Sequence, residues 1–131
     1  MQEKIKILIA DDNKNFCNVL VEFFKQYNEI QVLGVVNTGL DEIKAITKLK
    51  PDIVITDIIR NDTDIGLKII RHYEKKSCGP AFLVISATRN KEIFFSSRVY
   101  SYIEKPFDDY KKIINEIHII SAKIMQEQRD K

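Results

Sequence analysis

The sequence predicts an α/β domain in which five β-strands alternate with five helices around one parallel, doubly wound sheet. Short apolar runs alternate along the chain with longer segments whose apolar residues recur at helical spacing. No internal repeat or low-complexity tract interrupts this alternation. A length of 131 residues, 44% of them hydrophobic, fits a single domain. Right-handed crossovers between parallel strands place helices on both faces of such a sheet.

The first half of the chain contains three predicted strands and two predicted helices. The strands are Ile5–Ala10, Gln31–Val36 and Ile53–Thr56. The first helix, Asn15–Tyr27, has its apolar residues on one stripe. The second helix starts near Leu40 after a turn at Asn37–Gly39 that we expect to use positive φ. It ends before Pro51, because a residue that precedes proline disfavours helical geometry.

The second half predicts three further helices and two strands. A third helix covers Ile65–Tyr73, and strands follow at Phe82–Ile85 and Tyr100–Glu104. A short fourth helix is expected within Asn90–Arg98, although its apolar period is poor. The last helix begins near Asp108, a plausible N-cap, and continues to Ile124. We therefore expect a domain at residues 1–125 and a polar tail, or the start of a linker, at residues 126–131.

Composition narrows the classes of partner. The formal charge of +2, from 21 basic and 19 acidic residues, is too balanced to predict direct binding of nucleic acid or an anionic membrane. The apolar runs are too short to span a bilayer. Cys17 and Cys78 lack metal or redox spacing, so we expect reduced thiols in a soluble cytoplasmic protein.

Polar residues follow four of the five predicted strands. Asp11 and Asp12 come after the first strand, Asp57 after the third, Ser86 after the fourth and Lys105 after the fifth. A single acid in this position is commonly a helix cap. Because the carboxyl ends of parallel strands meet at one edge of a sheet, we expect all of these residues to converge there.

The residue types at this edge indicate phosphoryl chemistry. Three neighbouring carboxylates repel one another unless a cation compensates, and Mg²⁺ prefers carboxylate and phosphate oxygens. A zinc site is a poor fit, since His72 and His118 fall in predicted helices. Asp57 could then attack a phosphoryl donor and form an acyl phosphate. Lys105 would pair with the phosphoryl oxygens, and Ser86 would donate a hydrogen bond to them.

Four motifs resemble the receiver domains of response regulators in two-component systems, the CheY-like family. They are Ile-Ala-Asp-Asp-Asn at 9–13, Pro-Asp-Ile-Val-Ile-Thr-Asp at 51–57, Ser-Ala at 86–87 and Lys-Pro-Phe at 105–107. The resemblance extends from Lys4 to about Ile124. It implies a flavodoxin-like fold with strand order 2-1-3-4-5. The opening of the chain is most similar to the receiver of a sporulation-initiation regulator.

The resemblance also implies roles for individual residues. Asp57 would be the phospho-acceptor, Asp12 a direct Mg²⁺ ligand, Asp11 an indirect or water-mediated ligand, and the Ile59 backbone carbonyl a further ligand. The Lys105–Pro106 bond would be cis. Ser86 and Tyr102 would form a switch that relays phosphorylation to the face made by the fourth helix, fifth strand and fifth helix.

The partners implied by the resemblance are a histidine kinase or a phosphotransfer protein. The sequence identifies neither, and it leaves open a homodimer or a C-terminal output domain. Two departures from the family pattern concern geometry. The loop after the third strand has Arg60 and one extra residue, and Arg60 is expected to be a solvated cation unless it reaches the phosphoryl group or a partner. The stretch between Ser86 and Lys105 is short.

Three alternatives stay open against a phosphorylated switch that is not an enzyme. An aspartyl-nucleophile phosphatase of the haloacid dehalogenase type needs an acid two residues after the nucleophile, and Ile59 occupies that position. A nucleotide or flavin binder would need a glycine-rich phosphate loop, which does not follow the first strand. A degenerate receiver would act through protein contacts alone, without phosphorylation.

Overall fold

The computed structural model describes residues 3–60, 63–87 and 96–130. The strands are β1 (Ile5–Ala10), β2 (Ile30–Val36), β3 (Ile53–Thr56), β4 (Ala81–Ser86) and β5 (Val99–Glu104). The helices in the described ranges are α1 (Lys14–Phe24), α2 (Gly39–Leu49), α3 (Ile65–Glu74) and α4 (Lys111–Arg129). Most of the helix expected within Asn90–Arg98 lies outside the described residues, so α4 corresponds to the predicted last helix.

The five strands form one parallel sheet in the order β2-β1-β3-β4-β5, as predicted. In the pairing register Ala10 is level with Thr56, and Thr56 is level with Val84. The carboxyl ends of β1, β3 and β4 therefore lie side by side. Strand order reverses between β1 and β3, and a crevice opens at such a point in an open α/β sheet.

Two apolar clusters hold the helices against the sheet. Alternate residues of β1 point to opposite faces, so Ile7 and Ile9 belong to one cluster and Leu8 to the other. The first cluster packs α1 and α4 on one face, and the second packs α2 and α3 on the opposite face, here called the α2–α3 face. Burying each Leu, Ile or Phe side chain contributes about 1.5–3 kcal/mol, so these stripes dominate the stability of the layers.

The helix ends differ from the sequence-based expectations. Asn13 caps α1 by accepting a hydrogen bond from the Phe16 amide at 3.0 Å, and the helix ends at Phe24 rather than Tyr27. Among the described residues the positive φ occurs at Lys50 and not in the turn before α2. Thr38 instead caps α2, because its hydroxyl oxygen accepts from the Asp41 amide.

The prediction that the last helix begins near Asp108 was wrong. Helix α4 begins at Lys111, and the Asp109 carboxylate accepts a hydrogen bond from the Lys111 amide at 3.0 Å. The helix continues to Arg129, past the end expected near Ile124. The division between a domain at residues 1–125 and a tail stays a prediction.

Within the described ranges, no helix combines the length and the apolarity that a membrane span requires. Both cysteines are free thiols, as expected, with Cys17 buried and Cys78 exposed. His72 lies in α3 and His118 in α4, away from the carboxyl edge of the sheet.

Candidate functional site

The structure brings the polar residues of the strand ends together in one crevice. Asp11 follows β1, Asp57 follows β3, Ser86 ends β4 and Lys105 follows β5. Carboxylate oxygens of Asp11, Asp12 and Asp57 all lie within 4.8 Å of one another. The parallel register explains this convergence, because each strand delivers its next residue to the same edge.

Lys105 bridges two of the three carboxylates. Its Nζ donates to Asp11 Oδ2 at 2.8 Å and to Asp57 Oδ2 at 3.3 Å. The ammonium also lies 4.4 Å from the centre of the Phe16 ring. Its backbone amide donates to the Ser86 carbonyl, and the Lys105–Pro106 bond is cis as expected. The ammonium of Lys105, which follows β5, is therefore held between the acids that follow β1 and β3.

The charge balance of the site favours an additional cation. Burial raises the pKa of the Asp11 carboxyl above its ordinary value, and Lys105 offsets this only in part. Burial also acts to lower the pKa of Lys105, but the hydrogen bond to Asp11 and the charges of Asp11 and Asp57 outweigh it, so that pKa is raised. Both pKa values are raised, but burial prevails at Asp11 whereas the ion pairs prevail at Lys105, because the Asp11 side chain is more enclosed than the Lys105 side chain. One ammonium thus faces three carboxylates.

Each oxygen of the Asp57 carboxylate has its own donor. Ser86 Oγ donates to Oδ1 at 2.6 Å, and Lys105 Nζ donates to Oδ2. The Ile59 amide adds a longer contact of 3.4 Å to Oδ1. The side chain of Asp57 keeps 13% of its surface exposed, so a small phosphoryl donor can reach it. A hydroxyl and an ammonium therefore lie on the two oxygens of the Asp57 carboxylate.

Asp11 and Asp12 differ in their availability to a metal ion. Asp11 Oδ1 accepts from the Asn13 amide at 2.9 Å, and Asp11 Oδ2 accepts from Lys105. Asp12 is partly exposed, whereas Asp11 is buried. Asp12 is therefore the more accessible of the two acids to an ion that enters from solvent.

The backbone around Asp57 is packed tightly against the start of α3. The Asp57 amide donates to the Ala10 carbonyl, and the Gly66 amide donates to the Ile58 carbonyl at 2.9 Å. A Cβ added to Gly66 would lie 2.7 Å from Ile58 Cα and closer still to the carbonyl oxygen of Asp57. Glycine is therefore required here for close approach. The sequence shows the glycine, but not what it approaches.

The environment of Arg60 differs from the one predicted from the sequence. It is 2% exposed and is neither a solvated loop cation nor a residue that reaches the acceptor carboxylate. Its Nη2 pairs with Glu42 Oε1 at 2.5 Å, and donates to Thr56 Oγ1 at 2.9 Å and to the Asp57 backbone carbonyl at 3.3 Å. Sequence reasoning missed Glu42 and Thr56. One signal was present, since Glu42 precedes the buried Ile46 by four residues and therefore shares its face of α2.

Tyr102 lies on β5, at the edge of the sheet. Its half-buried ring packs against the cluster on the α2–α3 face, and its hydroxyl oxygen is buried. Its side chain therefore points into the domain from the last strand. The switch role of Tyr102 and Ser86 stays a prediction.

Comparisons with known proteins agree with this geometry. The family model described as the response regulator receiver domain matches residues 7–118. The protein-glutamate methylesterase/protein-glutamine glutaminase of Bacillus subtilis (strain 168) is 29% identical over an alignment of 109 positions that covers 78% of this chain. The chain spans 29% of the length of that relative, so its enzymatic activities do not carry over.

Solved structures show the same fold. The receiver domain of the Francisella response regulator 1452 has a TM-score of 0.79 at 22% identity, covering 92% of this chain and 99% of that one. The response regulatory domain of protein mrkE from Klebsiella pneumoniae has a TM-score of 0.78 at 22% identity, covering 92% and 98%. At these identities the likeness concerns the fold alone.

Proposed function

The chain belongs to the response regulator receiver domain family, and from that premise we propose that it is a signalling switch that is phosphorylated on Asp57. One observation carries the proposal. The Asp57 carboxylate lies in a cluster of three acids, with a hydroxyl donor on one oxygen and an ammonium on the other. An acyl phosphate on Asp57 would need hydrogen-bond donors for its phosphoryl oxygens, and the same hydroxyl and ammonium would supply them.

Mg²⁺ fits the donor set of the site. All three side chains offer carboxylate oxygens, which suit a hard divalent cation and do not favour zinc. We assign Asp12 and Asp57 as direct ligands, the Ile59 backbone carbonyl as a third protein ligand, and Asp11 as an indirect ligand, since Asp11 is the buried member of the three acids and Lys105 lies closer to it, at 2.8 Å, than to Asp57, at 3.3 Å. When bound, the ion would neutralise charge and orient the phosphoryl oxygens.

The residues of the chain have separate tasks in the transfer. An oxygen of Asp57 attacks the phosphorus of the donor, and the bond from phosphorus to the donor atom breaks, so the electron pair leaves with the donor. Lys105 stays charged and pairs with the developing phosphoryl charge. Ser86 exchanges its carboxylate contact for a phosphoryl oxygen. The donor would be a histidine kinase or a phosphotransfer protein, acting in the cytoplasm.

Phosphorylation would replace a carboxylate with a group of about −1.5 to −2 charge, by analogy with phosphorylated hydroxyls. Ser86 ends β4 level with Glu104 of β5, and Tyr102 lies two residues earlier on β5, so a movement of Ser86 would be passed to Tyr102 along this strand pair. We propose that this pair biases the face formed by the predicted fourth helix, β5 and α4 between two arrangements. A partner, an output domain or a second copy would read that face.

Two other functions are weaker. Hydrolytic turnover of the acyl phosphate needs a general acid or base near Asp57, and the residue two positions on is Ile59. A degenerate receiver would not need a hydroxyl and an ammonium on the acceptor carboxylate. A role in the initiation of sporulation, which the similarity at the start of the chain suggested, stays a prediction.

Intact-mass spectrometry after incubation with acetyl phosphate tests the proposal. We expect one phosphoryl adduct that requires Mg²⁺ and disappears in Asp57→Asn. Asp52→Asn is the matched control, because Asp52 is an exposed acid just before β3 and away from the site. An adduct that persists in Asp57→Asn would refute the assignment. Absence of both an adduct and Mg²⁺ binding in the wild type would favour the degenerate receiver.

A further inference from the structure

A buried ion pair between Arg60 and Glu42 contacts the backbone of Asp57. The side chains of Arg60 and Glu42 are 1% and 0% exposed. Removing two charges from water is costly, and the attraction between them repays this only when geometry and hydrogen bonding are favourable. The pair therefore needs a physical reason other than a gain in stability.

The contacts of Arg60 are concentrated on one nitrogen. Nη2 meets Glu42, Thr56 and the carbonyl oxygen of Asp57. Within the ranges that the structure describes, Nε and Nη1 have no hydrogen-bond partner. A guanidinium arranged for maximal pairing would use two nitrogens in parallel on the carboxylate. Here the geometry instead directs one donor to the backbone of the acceptor residue.

The backbone of Arg60 is fixed as well. Its amide donates to the Thr63 carbonyl, and the Thr63 amide donates back to the Arg60 carbonyl, both at 2.9 Å. The Thr63 hydroxyl adds a bond of 2.8 Å to the same Arg60 carbonyl. The segment from Asp57 to Arg60 is thus held at one end by the Arg60 side chain and at the other by Thr63. Ile59 lies between these two attachments.

We propose that Arg60 is a positioning residue for the phospho-acceptor: Glu42 of α2 holds its guanidinium, which sets the Asp57–Ile59 backbone from the side opposite the acidic cluster. The orientation of the acceptor carboxylate and of the Ile59 carbonyl follows from that backbone. The consequence for Mg²⁺ and phosphorylation rests on the proposed function, whereas the positioning of the backbone does not. It makes α2 part of the acceptor site although α2 contributes no residue to the acidic cluster.

The test removes both charges together. Glu42→Leu combined with Arg60→Met leaves no uncompensated buried charge, so this variant is expected to fold even where Arg60→Met alone does not. Arg60→Lys keeps the charge but has only one nitrogen on a different stem, and should fall between the wild type and the double variant. Arg71→Met is the matched control, because Arg71 lies on the exposed side of α3.

Two readouts separate positioning from general stability. The first is Mg²⁺ affinity by calorimetric titration, which should weaken by about tenfold or more in the double variant, the usual effect of removing a group that orients metal ligands. The second is hydrogen exchange of the Gly66 amide without Mg²⁺, since that amide bonds the Ile58 carbonyl. It should exchange at least about tenfold faster relative to core amides of the same variant.

The outcomes distinguish the inference from the proposed function. Wild-type Mg²⁺ affinity, within twofold, and unchanged Gly66 exchange in the folded double variant would overturn the role of Arg60, even when the wild type is phosphorylated. A wild type that takes no phosphoryl group would overturn the proposed function, and the exchange measurement would still decide whether Arg60 positions the loop. Faster Gly66 exchange with Arg71→Met unchanged supports it.

Discussion

The substitution Gly66→Ala tests whether the backbone of Asp57 and Ile58, here called the acceptor loop, needs its close contact with the start of α3. The added methyl group would be 2.7 Å from Ile58 Cα and 2.8 Å from the Ile58 carbonyl oxygen, with a still closer approach to the Asp57 carbonyl. All three of these atoms belong to the backbone, so no side chain can rotate away. Ordinary contacts between carbon atoms are about 3.5–4.0 Å, so the loop or the helix must move by about 1 Å.

This displacement should affect both stability and chemistry. Overpacking of this kind costs about 1–3 kcal/mol in the free energy of unfolding. The gain of about 0.4–1 kcal/mol from a less flexible unfolded chain offsets only part of that. Because the moving atoms carry the acceptor, a shift of about 1 Å should slow phosphorylation by about a hundredfold.

Urea unfolding and the initial rate of labelling by acetyl phosphate measure the two effects. Gly34→Ala is the control, because a Cβ there would meet only side-chain atoms at 3.9 Å, an ordinary contact. The reasoning would be refuted if Gly66→Ala were labelled at the wild-type rate with unchanged stability. It would also fail if Gly34→Ala lost as much activity as Gly66→Ala.

Two further predictions concern charged groups. Burial raises the pKa of Glu42 to about 6, although Arg60 acts against it; the folded state therefore keeps this proton after the unfolded chain has released it. The stabilisation that comes from this bound proton is complete below about pH 4.5 and is lost as the pH rises through 6. Relative to Glu42→Gln, the wild type should therefore lose about 2 kcal/mol of unfolding free energy between pH 4.5 and 7, measured by urea titration. A difference between the two proteins that stays constant with pH would contradict this. Arg98 donates to the carbonyls of Tyr73, Lys76 and Gly79 around the end of α3. Arg98→Met should lower the unfolding free energy by about 2 kcal/mol and Arg98→Lys should recover less than half, and a loss below about 0.5 kcal/mol would argue against this role.

The parts of the site that depend on the strand ends were predictable from the sequence. Parallel strands deliver their next residues to one edge, so Asp11, Asp57, Ser86 and Lys105 could be placed together from their positions alone. The residue types then indicated phosphoryl chemistry, which stays a proposal, and the family match agrees with the predicted receiver fold. These predictions needed only the alternation of elements and the chemistry of oxygen ligands.

Features that depend on packing between elements could not be predicted in the same way. A charged residue in a loop is usually solvated, whereas Arg60 is buried and pairs with Glu42 of α2 and Thr56 of β3. The spacing of Glu42 and Ile46 indicated that Glu42 lies on the buried face of α2. The sequence did not indicate which cation would pair with it. Asp108 was the expected cap of the last helix, but α4 begins at Lys111, whose amide donates to the Asp109 carboxylate.

The bond between Lys105 and Asp11 joins residues that are 94 positions apart in the chain. Asp57, the Lys105 ammonium and the Ser86 hydroxyl meet only after β5 has docked beside β4 and the sheet is complete. An emerging chain, or one cleaved before β5, presents Asp57 as an ordinary surface acid. Under the proposed function, phosphorylation of Asp57 would therefore require finished folding as well as an incoming signal, and incomplete copies of the chain would not respond.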